Sequence, residues 1–393
     1  MRKQKAQMPE IEPLLLDQKL ANTAFSFRGY NVDNLGRTQE LLVHPAYGQV
    51  MKKHLDAASE LAADALRRRV DLAGRVTRNE EPDLSTYGEA IALIMAASLA
   101  QLELLREHHG IEIAESQVAF GYSLGELVAV VAAGMFEIES VLKLILPLAR
   151  DAAELALDVQ MGVVFCRGRE LDYAAVQKHC MEITNEGNGT IGISSYLAPN
   201  TVLLLGQGDT IDHFKRSIKN IPPDRVHLKK NEHRWPPLHT AIVRQKNMSN
   251  RGAVALETLP GGFTRPAPPI ISCVTGDISY DDVNSREILI DWIDRPQHLW
   301  SAIEKVLQMG VERIVHVGPA PNIIPATLNR LSIDVSSQLG KKSISGMGMR
   351  AVSRITRNRG WLRKLVAKNA ALLRAPFIEQ VNLEDWLLEN SPD

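Results

Sequence analysis

The chain is poor in cysteine: Cys166, Cys180 and Cys273 are the only three in 393 residues, with no CxxC pair and no Cys/His spacing suited to a metal. An odd, dispersed set argues against a disulfide framework and points to reduced thiols in the cytoplasm. Net charge is also nearly absent. With 45 Lys and Arg against 46 Asp and Glu, the formal charge is -1, which excludes a globally basic nucleic-acid binder. Uninterrupted apolar runs are short. The N-terminus offers only Leu14 to Leu16 beside its basic residues, too little for a signal-peptide core, and no run approaches the ~20 residues of a membrane span. A soluble cytoplasmic protein is expected. There is no internal repeat and no low-complexity tract.

What is present suits a large globular fold. Apolar residues make up 45% of the chain and charged residues 23%, close to the globular average. The length exceeds one ordinary domain, so two units, or one with an insertion, are expected. Charge is uneven along the chain. Between Lys341 and Arg374 stand ten Lys and Arg and no Asp or Glu, in a segment that includes "WLRKLVAKNAALL". Such a segment forms either a basic amphipathic helix for a membrane surface or partner, or a helix packed on its own domain.

Secondary-structure patterning supports an α/β reading. The stretch "TAFSF" reads as a strand ending in "RGYN", and "YGEAIALIMAASLAQLELLREHH" as a helix apolar nearly all round, hence buried. From residue 161 to 231 the pattern runs β-α-β-β-α-β, a ferredoxin-like unit. Strands alternate with helices on both sides of it. The expected fold is an α/β-hydrolase-like large subdomain with a mainly parallel sheet, over 23–160 and 232–339, carrying the ferredoxin-like insert. A leader (1–22) and a basic C-terminal extension (340–393) flank it.

Within "AFGYSLGELV" a serine, Ser123, lies between glycines spaced G-x-S-x-G, after an apolar strand and before a helix. That context is what makes the pattern a candidate nucleophile. A serine hydroxyl needs a base, and most of the eleven histidines have ordinary readings. His108 and His109 end a helix, while His179 and His213 lie on amphipathic helices of the insert. His239, in "RWPPLHTAIV", follows two prolines where the chain leaves the insert.

The succession of "RGYN", "GYSLGE", the insert, "PPLH", "ISCVTG" and "VGPAPN" resembles the malonyl-CoA:acyl carrier protein transacylases and polyketide synthase acyltransferase domains, over residues 24–331. The resemblance implies Ser123 as the acylated nucleophile and His239 as its base, without an acidic third member. It implies backbone N–H groups of Tyr30 and Leu124 as the oxyanion hole, and a backbone carbonyl around Ser272 and Cys273 orienting the imidazole. Tyr122, Leu148, Arg150 and Leu197 would face the acyl group. In malonyl-specific members an arginine of the next helix pairs with the free carboxylate; a gapless count reaches Leu148, and Arg150 lies roughly 200° further round an ideal helix. Leu197 likewise stands at a polar family position. Both changes favour an apolar acyl pocket, while Pro147, which can kink the helix and re-aim Arg150, keeps malonyl open.

The activity implied is transfer of an acyl group from acyl-CoA to the phosphopantetheine thiol of an acyl carrier protein, for fatty acid or polyketide synthesis. No permanently bound cofactor or metal is implied. Arg28, Lys229, Lys230, Arg234, Arg244 and Lys246 are candidates for docking an acidic carrier, and the basic C-terminal segment for a synthase partner. Two other readings stay open: a hydrolase using the same dyad on acyl carrier protein or acyl-CoA, and a non-catalytic carrier-binding relative.

Overall fold

The computed structural model describes residues 16–167, 169–222, 225–339 and 370–392. Five strands, β1 (Thr23–Phe27), β2 (Val118–Gly121), β7 (Ile270–Ile271), β8 (Arg313–Val317) and β9 (Glu379–Asn382), form one sheet in the order β7-β2-β1-β8-β9. Every pairing in it is parallel. A parallel sheet is covered on both faces, and the side chains divide accordingly. Phe25, Phe27, Ala119, Val315 and Val317 join one core, while Ala24, Val118, Phe120 and Ile314 join the other.

The first core is filled from α1 (Thr38–Val43), α2 (Gly48–Leu66), α3 (Leu72–Thr77), α4 (Tyr87–His109), α5 (Leu124–Ala132) and α6 (Ile138–Ala156). Helix α4 is long and apolar enough by composition to cross a membrane, yet 83% of its most apolar window is buried inside the protein. It is a core helix, as its all-round apolarity predicts.

The insert has its own sheet and its own core. It comprises β3 (Val159–Cys166), α7 (Tyr173–Asn185), β4 (Ile191–Ala198), β5 (Thr201–Gln207), α8 (Thr210–Ser217) and β6 (Val226–Lys230), in the order β4-β5-β3-β6, all antiparallel. This is the ferredoxin-like arrangement read from the sequence. After it come α9 (Met248–Thr258), α10 (Ser285–Asp294), α11 (Leu299–Gln308) and α12 (Ile323–Leu339), the last two packing on the second face of the large sheet. The insert is stitched to the large unit at Gln297. Its N–H donates to the Ser194 carbonyl at 2.9 Å, and its carbonyl accepts from the Tyr196 N–H at 2.8 Å and the Ser195 hydroxyl at 3.1 Å.

The C-terminal extension contributes to the large unit. Strand β9 lies beside β8, continuing the large sheet beyond the region of resemblance. The final helix, Leu383–Glu389, buries Glu384, whose carboxylate accepts the N–H groups of Arg37 and Ala320, each at 2.9 Å. The basic run read as a membrane or partner contact falls mainly on residues 340–369, outside the described residues; Arg374 is described, and donates to the carbonyls of Gly310 and Val311 at 2.6 and 3.1 Å.

Candidate active site

Strand β2 delivers Ser123 at the first turn of α5. Both glycines of G-x-S-x-G are needed for backbone approach. A Cβ on Gly121 would lie 2.1 Å from the Gly125 carbonyl carbon, and one on Gly125 would lie 2.1 Å from the Phe27 carbonyl oxygen. No side chain fits either place. Ser123 itself sits at φ 55°, ψ -119°, a strained conformation for a residue with a Cβ. His239 has φ 66°. The two meet across 116 residues, with Ser123 Oγ 2.7 Å from His239 Nε2.

The imidazole is oriented from a place the sequence reading did not name. His239 Nδ1 donates to the Trp292 carbonyl at 2.7 Å, and the His239 N–H to the Ile293 carbonyl at 2.9 Å. Both carbonyls belong to the last turn of α10, where a helix leaves its acceptors unused. Trp292 also reaches the nucleophile, its indole N–H donating to the Ser123 carbonyl at 2.9 Å. Its ring stands edge-on to His239, centroids 4.9 Å apart.

Ser272 and Cys273 therefore do not orient His239. The Ser272 hydroxyl and the Cys273 N–H, the latter at 3.0 Å, both donate to the buried carboxyl of Glu126 on α5, as does Tyr280 at 3.0 Å. The Cys273 carbonyl accepts from the His298 N–H. Their segment braces α5 instead. Burial raises the Glu126 carboxyl to about 7.

Burial also holds His239 low, at about 4, against the opposing bond to Trp292. The imidazole is neutral near pH 7, and with Nδ1–H committed to a carbonyl, Nε2 carries the lone pair facing Ser123. The N–H of Leu124 opens α5, and that of Tyr30 lies in the loop after β1. Neither has a hydrogen-bond partner among the described residues. Free N–H groups at a helix start suit a developing oxyanion.

That loop is held by Arg28, read from sequence as a docking residue. It is buried. Nε donates to the Gly29 carbonyl at 2.8 Å, Nη1 to the Pro319 carbonyl at 2.6 Å, and Nη2 to Asn34 Oδ1 at 2.8 Å and the Asp33 carbonyl at 3.1 Å. Burial lowers its guanidinium to about 10, so it stays charged at neutral pH. Of the other proposed docking residues, Lys230, Arg244 and Lys246 pair with Asp212, Asp294 and Glu154. Lys229 and Arg234 remain exposed.

Ser123 and His239 open into a cavity of about 420 Å³ between the large unit and the insert, lined also by Tyr30, Tyr122 and Leu197. Tyr122, half-buried beside Ser195, has its phenol pushed up to about 12 by desolvation. Trp235 and Tyr87 complete an aromatic wall, Tyr30 standing edge-on to each at 6.0 and 4.8 Å. No Lys or Arg is among the described lining residues. The expectations for Leu148 and Arg150 fail. Leu148 turns into the first core, and Arg150, with its side chain 82% exposed, lies by Glu154 at 3.6 Å outside the cavity. Counting along α6 locates a helix but not its face. Asn322, which the sequence reading missed, lines the cavity with its amide nitrogen buried and unpaired among the described residues.

No family model matches the chain. Against known proteins, it is 23% identical over 301 residues to the malonyl-CoA:acyl carrier protein transacylase of Salmonella typhimurium, covering 75% of this chain and 88% of that one. Among solved structures, the corresponding transacylase of Xanthomonas oryzae superposes with a TM-score of 0.64 at 20% identity, over 79% of this chain and 91% of the other. The chain has the transacylase fold. A second neighbour is a malonyl transacylase in complex with its type II polyketide synthase acyl carrier protein, with a TM-score of 0.60 at 20% identity over 78% and 92% of the two chains. The transacylase family of these relatives is the one that the motifs resemble.

Proposed function

We propose that the chain is an acyltransferase that takes an acyl group from acyl-CoA onto Ser123 and passes it to the phosphopantetheine thiol of an acyl carrier protein. The observation that carries this reading is the 2.7 Å contact of Ser123 Oγ with a neutral His239 Nε2, in a transacylase fold. Ser123 Oγ attacks the thioester carbonyl while His239 takes its proton. The N–H groups of Leu124 and Tyr30 receive the oxyanion. Collapse expels the CoA thiolate, to which His239 returns the proton. The carrier thiol then gives its proton to His239 and attacks the acyl-serine, and the proton returns to Ser123 Oγ as the ester breaks.

The acyl group is uncharged in this reading. The relatives are named for malonyl, but this cavity presents tyrosines, a tryptophan and leucines beside the amides of Asn31, Asn231 and Asn322, with no Lys or Arg among its described lining residues to pair with a free carboxylate. Burying an unpaired carboxylate costs several kcal/mol. The partner is a phosphopantetheinyl carrier, and CoA thioesters are the donors.

The test loads the protein with radiolabelled acetyl-CoA, removes free CoA, and adds holo acyl carrier protein. Label moving to the carrier as a thioester supports the proposal. Release of free acetate at the same rate with and without carrier makes the protein a hydrolase and contradicts it.

A further inference from the structure

A second cavity, of about 450 Å³, lies against α6 and the start of α4. Leu66, Leu84, Ala153 and Leu157 line it, with Arg68, Arg150 and Glu154 at its polar edge. One residue, Tyr87, lines both this cavity and the one holding Ser123. Tyr87 is the first residue of α4, and its main chain is fixed there by the turn before it. Asp83 Oδ1 accepts the N–H groups of Ser85 and Thr86 at 2.9 and 3.1 Å. The side chain is held differently. Its hydroxyl has no hydrogen-bond partner among the described residues, and its ring packs edge-on against Tyr30.

An aromatic ring without a polar anchor, standing between two apolar spaces of similar size, is a partition. We propose that Tyr87 closes the acyl end of the catalytic cavity and so limits the length of the uncharged acyl chain carried on Ser123, the space behind it being of a kind to take the distal methylenes of a longer chain. This rests on the acyl-serine reading above. The occupant is an alkyl tail because the two spaces meet at a ring inside the protein, and because the walls offer hydrocarbon. The charged groups at the outer edge are already paired, Arg150 with Glu154 at 3.6 Å and Arg68 with Glu89 at 2.8 Å. With Tyr87 in place, a chain that reaches the ring must stop; with the ring gone, each further methylene gains burial, roughly threefold to fourfold in kcat/KM.

The experiment measures the rate of Ser123 acylation in the full chain with acetyl-, butyryl-, hexanoyl- and octanoyl-CoA. Tyr87→Ala is expected to move the longest efficient chain upward by two or more methylenes and raise the octanoyl-to-acetyl ratio at least tenfold. Tyr87→Phe, which keeps the ring, is expected to retain the parent profile. Tyr87→Ala combined with Ala153→Phe, which fills the space behind, is expected to return the ratio to the parent value. Tyr87→Leu replaces Tyr87→Ala if the latter fails to fold. An unchanged profile in the opened variant, or a gain that survives the filling substitution, overturns the proposal while leaving the acyl-serine reading intact. A parent protein that takes no label from any of the four donors sinks both.

Discussion

The two ends of the catalytic cavity are built on opposite principles. Around Ser123 and His239 polar atoms are committed: Nδ1 to the Trp292 carbonyl, the indole N–H to the Ser123 carbonyl, and the Ser123 N–H to Gln297 Oε1 at 3.3 Å. Two strained backbones are held by this network, which is how strain persists at a site. At the other end Tyr30, Tyr87 and Trp235 meet by their ring edges, and few hydrogen bonds direct them. The first end dictates geometry and so determines the reaction. The second dictates shape and polarity, and so selects what the reaction is performed on.

The largest effect should come from breaking the polar end. Ser123→Ala is expected to abolish acylation, a loss of roughly 10⁴-fold or more, read as absence of a covalent adduct in the intact protein mass. Arg28→Met is next, because it leaves three carbonyls and the Asn34 amide oxygen short of donors. It should cost about 2–4 kcal/mol in a denaturant titration and lower kcat through the displaced Tyr30 N–H. Trp292→Phe removes one hydrogen bond to the Ser123 carbonyl and leaves the Trp292 carbonyl in place. A fall of roughly tenfold in kcat/KM is expected, consistent with one buried bond. The smallest effect is that of pH. His239 titrates at about 4 and is the unprotonated base above that, so acylation should stay nearly level from pH 8 to about 5 and fall only as pH approaches 4. A midpoint near 6.5 would mean that the imidazole is solvated and the polar end is not closed as described.

Much of the fold was legible because its signals are local. The two glycines around Ser123 have no alternative, given main-chain atoms 2.1 Å from where their Cβ atoms would lie. The β-α-β-β-α-β order of the insert follows from alternating apolar segments, each short and well punctuated. The site was legible only where side chains carry it. Trp292 acts on His239 through a carbonyl that any residue would supply, so no motif marks it. Arg28 escaped because arginine is usually exposed; its one signal is its place at the end of an apolar strand, next to glycine. Leu148 failed for a third reason. Position along α6 says nothing about which face meets the cavity, and the face behind Tyr87 belongs to Ala149 and Ala153. Strand β9 was hidden by its distance in sequence, 62 residues after the end of β8.

Whether Ser123 forms an acyl-enzyme with an uncharged acyl group is decided by a competition between two donors. The protein is mixed with equal concentrations of malonyl-CoA and acetyl-CoA, quenched in acid, digested, and the peptide holding Ser123 is weighed. Acetyl is expected on Ser123 in at least tenfold excess over malonyl, with no adduct in Ser123→Ala. Malonyl in excess on Ser123 would contradict the reading of the apolar end, and an adduct on any other residue would contradict the polar end as well.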